Sequence, residues 1–321
     1  MNILITGATG FIGKHLANTL SNGSHSIRCL VRKSSKVNSL KNIGVSICYG
    51  DLLVKDSLRQ ALEEIDVVYH LAGEVYSRKK DDYYKGNILA TNNLLAICKE
   101  KGINRIIYLS SVGVYKPKTD KTLLTEESIC EPITYYGKTK LYGERLLKEY
   151  NIPFVIVRAP VIYGPSQPAV LNKFFLDGLN KQKMYVVGDG NNLRSLCYID
   201  NLIEGLILLS EKSDVDSKTF LFSDDTPYTF NEIIACASKV VKHKITTIYF
   251  PSILGDISWR INNIMGRLFN LYFVELYSIK TMQLNLGCDI TKAKKEIGFN
   301  PTVTLEAGIK NTIEWIKNSQ L

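Results

Sequence analysis

Metal chemistry has little to work with in this sequence. It holds only four histidines, at positions 15, 25, 70 and 243, and none stands at a ligand spacing from another or from a cysteine. The seven cysteines, at 29, 48, 98, 130, 197, 236 and 288, are odd in number and include no CxxC pair. That argues against a zinc ribbon or a dithiol redox site and predicts a reducing compartment. No stretch reaches the roughly 18 uninterrupted apolar residues of a spanning helix. The opening MNILITGATG lacks the basic and long apolar regions of a secretory signal, so a soluble, cytoplasmic protein is expected. Internal repeats and low-complexity tracts are also missing, which excludes a solenoid or a disordered tail protein.

What is present is ordinary globular material: 321 residues, 45% hydrophobic and 22% charged. A chain of this length buries a core without a metal or disulfide, and accommodates one large or two small domains. Forty Lys and Arg against 31 Asp and Glu give a net charge of +9. Short basic clusters fall at 28–36, 78–80 and 116–121. The last two read as solvated surface, and no nucleic-acid partner is expected.

Strand-like runs at 2–6, 26–31, 45–49, 66–70, 105–109 and 154–157 alternate with helical patterns at 11–20, 57–62, 82–101 and 134–150. The runs are continuously apolar, as in strands covered on both faces. The cadence predicts an α/β fold, a Rossmann-type doubly wound parallel sheet with a smaller C-terminal substrate-binding cap. The nucleotide-binding domain is expected over 1–165 and the substrate part over 166–321, with about 192–224 returning to the first domain. Further helices are expected at 172–180, 201–210 and 305–317. The aromatic and aliphatic segment 251–282 reads as core or as a cap over the cleft. A membrane-surface helix is the sharper alternative, but no membrane contact is expected.

Gly7, Gly10 and Gly13 form a GxxGxxG turn after the first strand and at the start of a helix. Such a turn lets the backbone approach a pyrophosphate and offers free helix N–H groups to it. Here the sequence resembles the extended short-chain dehydrogenase/reductase superfamily, the NAD-dependent epimerase/dehydratase group of nucleotide-sugar 4-epimerases and 4-ketoreductases. TGATGFIG at 6–13, with Phe11 and Ile12, looks like that group's cofactor motif. GDL at 50–52 looks like its adenine turn, with Asp51 and Leu52 as contacts. HLAG at 70–73 implies that Leu71, Ala72 and Gly73 run past the cofactor. The resemblance extends to the closing loop and helix at 298–315.

An NAD-preferring fold usually carries an acid at the end of the second strand. Val31 stands there, followed by Arg32 and Lys33, so NADP(H) is the expected cofactor, with NAD(H) possible. Tyr136 and Lys140 lie four apart on one helix face, and an ammonium there is expected to lower the phenol's pKa and make it a proton-transfer group. Tyr135 lacks that lysine. Ser110 and Ser111 end the fifth strand, facing the crevice. The resemblance selects Ser111 as the residue that holds the reacting oxygen, and suggests Asn87 as a helper of Lys140. It also implies that Arg158 and Tyr163, in RAPVIYGP, border the substrate and that Arg194 reaches its diphosphate, a task suited to a forked guanidinium. A structural pair between Arg194 and Asp200 is the plainer reading.

The catalytic set is therefore Ser111, Tyr136 and Lys140, with no metal. The expected activity is NADPH-dependent 4-ketoreduction of a UDP-linked 4-keto-6-deoxy (amino) sugar, with polysaccharide biosynthesis as the setting. An NAD-dependent 4-epimerase is the alternative. A reductase of a non-sugar ketone and a non-catalytic NADP-binding regulator are weaker readings. The resemblance also implies a homodimer, through the helices at 82–101 and 134–150.

Overall fold

The computed structural model describes residues 1–167 and 182–319, and the helix expected at 172–180 lies outside the described residues. Six strands come from the first half: β1 Asn2–Thr6, β2 Ser26–Val31, β3 Ser46–Tyr49, β4 Val67–His70, β5 Arg105–Ser111 and β6 Phe154–Ala159. With the later strand Lys218–Leu221 they build one seven-stranded parallel sheet. Its order runs from Lys218–Leu221 through β6, β5, β4, β1 and β2 to β3. The chain therefore reverses direction across the sheet between β1 and β4. In such sheets ligands enter beyond the carboxyl ends of the strands at that point.

Every residue of β4 and β6 is buried, which explains the continuous apolar runs. Alternate residues of β1 serve opposite faces: Ile3 and Ile5 join one core cluster, Leu4 the other. The first face is covered by the helices Phe11–Ser21 and Ile199–Glu211, through Leu16, Leu20, Leu202 and Leu206. The second is covered by Lys55–Ala61, Ala90–Lys101 and Tyr135–Tyr150, through Leu58, Leu94, Leu95 and Leu147.

The helix expected as one piece over 82–101 is broken. A short α-helical turn, Lys80–Tyr83, passes into a π-helical turn, Tyr84–Leu89, before Ala90–Lys101 resumes α geometry. Such wide turns frequently sit at functional sites. Here it carries Asn87 toward the backbone of Glu74, which it bonds twice.

The C-terminal half adds the helices Phe230–Val241, Ile253–Leu268, Val274–Thr281, Thr291–Ile297 and Leu305–Ser319. It also pairs Lys183–Val187 with Thr246–Phe250 in a small parallel sheet. Buried Asn201 ties the closing segment down. Its amide exchanges both hydrogen bonds with Val303 at 3.0 Å and donates to Asp224 at 2.8 Å.

Candidate active site

The first turn is shaped by close approach. Gly7 has φ +73°, and a Cβ there would lie 2.7 Å from the Ala72 backbone nitrogen. A Cβ on Gly13 would lie 2.3 Å from the Gly7 carbonyl, so the helix can seat on the turn only without a side chain. Gly10 precedes the helix and supplies no capping side chain. The first helical N–H groups are thus left for an anion, as a dinucleotide pyrophosphate requires. Leu71, Ala72 and Gly73 follow β4 across this turn, and the Ala72 N–H donates to Thr6 Oγ1 at 3.3 Å. Asp51 stands after β3 and accepts the Leu53 N–H at 2.9 Å, shaping its own turn. Leu52 packs on the second core cluster. Phe11 and Ile12 pack against the first core cluster. Arg32 and Lys33 are exposed just past β2.

β5 delivers Ser111, whose hydroxyl accepts the Gly113 N–H at 3.1 Å. The helix Tyr135–Tyr150 starts beside it, with the Thr134 hydroxyl capping Gly137 N–H at 3.0 Å. Gly137 makes this proximity possible, since a Cβ there would sit 2.1 Å from the Gly113 carbonyl. Tyr136 consequently lies within hydrogen-bonding reach of the Ser111 hydroxyl. Lys140, one turn on, is buried with its Nζ 4.2 Å from the centre of the Tyr108 ring.

The electrostatics differ from the sequence expectation. Burial pushes the Tyr136 phenol up to about 12, and the Ser111 hydroxyl pulls against that. Lys140 does not lower it. Its own ammonium is pushed down to about 7 by burial, with Glu144 pulling the other way. The phenol is therefore neutral in the free protein, and the buried amine is the group poised near neutrality.

Asn87 is fully engaged by the protein. Its Oδ1 accepts the Glu74 N–H at 2.7 Å, and its Nδ2 donates to the Glu74 carbonyl at 3.0 Å and to Thr139 Oγ1 at 2.9 Å. It thereby fixes the segment after β4 to the Tyr136 helix. A Cβ on Gly73 would come 2.9 Å from Asn87 Oδ1 and 3.8 Å from Lys140 Nζ, so these groups share one small volume. His70 belongs to the same network, bridging Thr6 Oγ1 at 2.8 Å and Thr91 Oγ1 at 3.0 Å. Burial first, then the Lys140 charge, hold the imidazole down at about 3, so it is neutral.

Two residues expected at the substrate are placed elsewhere. Arg158 is 5% exposed and gives its guanidinium to the protein: to Glu144 Oε1 at 3.0 Å and Oε2 at 2.7 Å, to Tyr115 Oη at 2.7 Å and to the Glu126 carbonyl at 3.2 Å. Ser110 donates to the same Glu144 at 2.5 Å. Glu144 thus ties Arg158 of β6 and Ser110 of β5 to the Tyr136 helix, and the guanidinium is spent on these protein partners. Tyr163 is completely buried, edge-on to Tyr198, and the neighbouring Asp224 carboxyl adds to burial in raising its ionisation. It is a packing residue.

Arg194 behaves otherwise. It is 9% exposed, lies 4.6 Å from the centre of the Phe230 ring, and pairs with no carboxylate among the described residues. Asp200, the alternative partner, is exposed. Burial alone brings the Arg194 guanidinium down to about 10. A buried cation with no counter-charge among the described residues is an environment that suits an anionic ligand.

Sequence reasoning passed over Gly137, Thr139, Glu144 and the aromatic wall beside Tyr136. In that wall Tyr83 lies 6.5 Å from the Tyr136 ring, and Tyr272 stacks on Tyr135 at 5.3 Å. Only Gly137 and Thr139, inside YxxxK itself, left a local trace.

The NAD dependent epimerase/dehydratase family matches residues 3–221. An uncharacterized protein, y4nL, of Sinorhizobium fredii is 32% identical over 99% of this chain and 96% of its own length. An uncharacterized UDP-glucose epimerase, YtcB, of Bacillus subtilis is 28% identical over 99% of this chain and 98% of its own. Among solved structures, UDP-glucuronic acid 4-epimerase from Bacillus cereus, in complex with UDP-glucuronic acid and NAD, superposes with a TM-score of 0.80. It is 26% identical and covers 99% of this chain and 100% of that one.

Proposed function

The chain belongs to the NAD dependent epimerase/dehydratase family, and we propose that it exchanges hydride at C4 of a nucleotide-activated sugar, with UDP as the nucleotide. The observation that carries this reading is the grouping of Ser111, Tyr136 and Lys140 at the carboxyl end of β5, beside a glycine turn with free N–H groups. Gly7, Gly10, Gly13 and the 71–73 segment would hold the dinucleotide, and Asp51 its adenosine end. When bound, the nicotinamide supplies or accepts the hydride. Tyr136 moves the proton at the C4 oxygen, and Ser111 hydrogen-bonds that oxygen and orients it. A neutral phenol donates directly to a carbonyl oxygen at neutral pH, so the reductive step needs no prior ionisation. The oxidative step that opens an epimerisation needs the phenolate, which takes the C4 hydroxyl proton and returns it on reduction. Lys140 contributes its charge beneath them and a donor toward the cofactor ribose. Arg194 takes the substrate diphosphate.

We read the net reaction as 4-epimerisation. The likeness to a UDP-glucose epimerase and to a UDP-glucuronic acid 4-epimerase holding NAD supports it. One observation favours a second reading, NADPH-dependent 4-ketoreduction: β2 ends at Val31 without an acid, and exposed Arg32 and Lys33 follow, a surface suited to a 2′-phosphate. The two separate in one experiment. The purified protein is given UDP-glucose, UDP-galactose or UDP-glucuronic acid with no added cofactor, and the sugar is followed by NMR. Conversion to the 4-epimer is the epimerase result. Absence of conversion, with oxidation of added NADPH by a UDP-4-keto sugar, is the reductase result. Inertness in both arms overturns the proposal. Arg194→Ala is expected to raise the substrate KM roughly 30-fold or more, the cost of about 2 kcal/mol or more when a phosphate loses a charged donor, with dinucleotide affinity unchanged.

A further inference from the structure

The helix Ile253–Leu268 is packed inside out. The face it buries is small and polar. Gly255 lies under the Gln283 side chain and Gly266 under the Tyr272 ring. Ser258 donates to the Leu276 carbonyl at 3.1 Å, and Asn262 exchanges two hydrogen bonds with the Phe273 backbone at 2.8 and 2.9 Å. The face it leaves outside is aliphatic. Ile253, Ile257, Ile261, Ile264 and Leu268, at intervals of three and four residues, form one stripe. Each is exposed, up to 70% at Leu268, and Phe269 extends the stripe at 62%. A globular helix normally does the reverse, and a contiguous apolar surface of this kind marks an interaction site.

The charges say what kind of surface it meets. Arg260 and Arg267 are exposed, border the stripe on the helical wheel, and form no ion pair among the described residues. The only carboxylate of the helix, Asp256, is neutralised by Lys280 at 2.6 Å. The chain as a whole carries +9. A symmetric second copy laid on the stripe would bring the same two arginines and, from this helix, only the already paired Asp256. An apolar face bordered by arginines instead fits the boundary between headgroups and acyl chains of an anionic bilayer.

We infer that the Ile253–Leu268 helix docks the protein in-plane on an anionic phospholipid surface, against the sequence expectation of no membrane contact. This does not rest on the proposed catalytic function. No described helix is long and apolar enough to cross a membrane, so docking is peripheral.

The test is sedimentation of the full chain with vesicles of equimolar phosphatidylcholine and phosphatidylglycerol, beside vesicles of phosphatidylcholine alone. Wild type is expected to partition onto the anionic vesicles at low salt and to release as salt rises. The double change Ile257→Glu and Ile261→Glu should abolish binding. Arg260→Gln and Arg267→Gln should each weaken it about fivefold. All act at exposed positions, so melting temperatures should match wild type and confirm folding. Failure of wild type to bind anionic vesicles overturns the inference. So does self-association, seen by light scattering, that the glutamate changes abolish, because a second copy then covers the face.

Discussion

Tyr136 is a neutral phenol because burial outweighs every group that could ionise it, and this sets what its removal should do. Tyr136→Phe keeps the ring against Tyr83 and deletes only the proposed proton carrier. Turnover should fall by about 10²–10⁴-fold, the usual worth of general acid–base catalysis, while dinucleotide affinity in a fluorescence titration stays at the wild-type value. Equal turnover would remove the mechanism. Lys140 makes a pH prediction. In the unfolded chain its amine holds a proton up to about 10.5, and in the folded protein only up to about 7. Between those values the unfolded state binds the extra proton, so this residue's penalty on folding is full below pH 7 and fades as pH rises. The melting temperature of wild type minus that of Lys140→Met should therefore climb between pH 7 and 10. A flat difference would mean the folded amine keeps an ordinary affinity for its proton.

The Tyr135–Tyr150 helix is the element on which the proposed chemistry is mounted, and it is fastened at both ends of its first three turns. Gly137 meets the Gly113 carbonyl, Gly143 meets the Tyr108 hydroxyl, and Glu144 holds Arg158 and Ser110. Gly137→Ala would force the helix off the Ser111 turn. A cost of about 1–3 kcal/mol is expected from overpacking, read by urea titration, together with a kcat loss larger than any KM change. Glu144→Gln would strand the buried Arg158 guanidinium and should cost about 3–5 kcal/mol. A KM unchanged in the surviving folded enzyme would separate this bracing role from substrate contact. At this scale the sequence was legible where local pattern decides. Continuous apolar runs marked the strands, and the glycine triplet marked the first turn, because sterics there act between residues close in the chain. The π-helical turn at Tyr84–Leu89 left no such mark, since it is set by the demand of the Glu74 backbone for Asn87. Arg158 was misread for a related reason: its partner Glu144 lies on another element, and an arginine ending a buried strand looks the same whether it meets a phosphate or a carboxylate.

The molecule as a whole is knit across the point where its sequence rhythm loosens. The Lys218–Leu221 strand extends the same sheet that begins at Asn2, and Tyr69 of β4 donates to the Leu206 carbonyl of the Ile199–Glu211 helix at 3.1 Å. Asn201 in that helix then clamps Val303, near the C-terminal helix. A chain cross-tied in this way has no boundary at which one half could melt alone without exposing the core of the other. Calorimetry should accordingly show a single transition. The dinucleotide contacts proposed above lie at the ends of β1 and β4, in the middle of that shared sheet, and of β3 at its edge, so binding should raise the whole transition. At a free concentration 100 times Kd the added stability is about 2.7 kcal/mol, a few degrees for a chain of this size. The dinucleotide that shifts the transition further at equal concentration is the preferred one. Arg32→Asp should lower the shift given by NADPH and leave that given by NADH. Two transitions, of which only the first moves, would instead mean that the C-terminal half folds as a separate unit and that the ties through Lys218–Leu221 and Asn201 carry little of the stability.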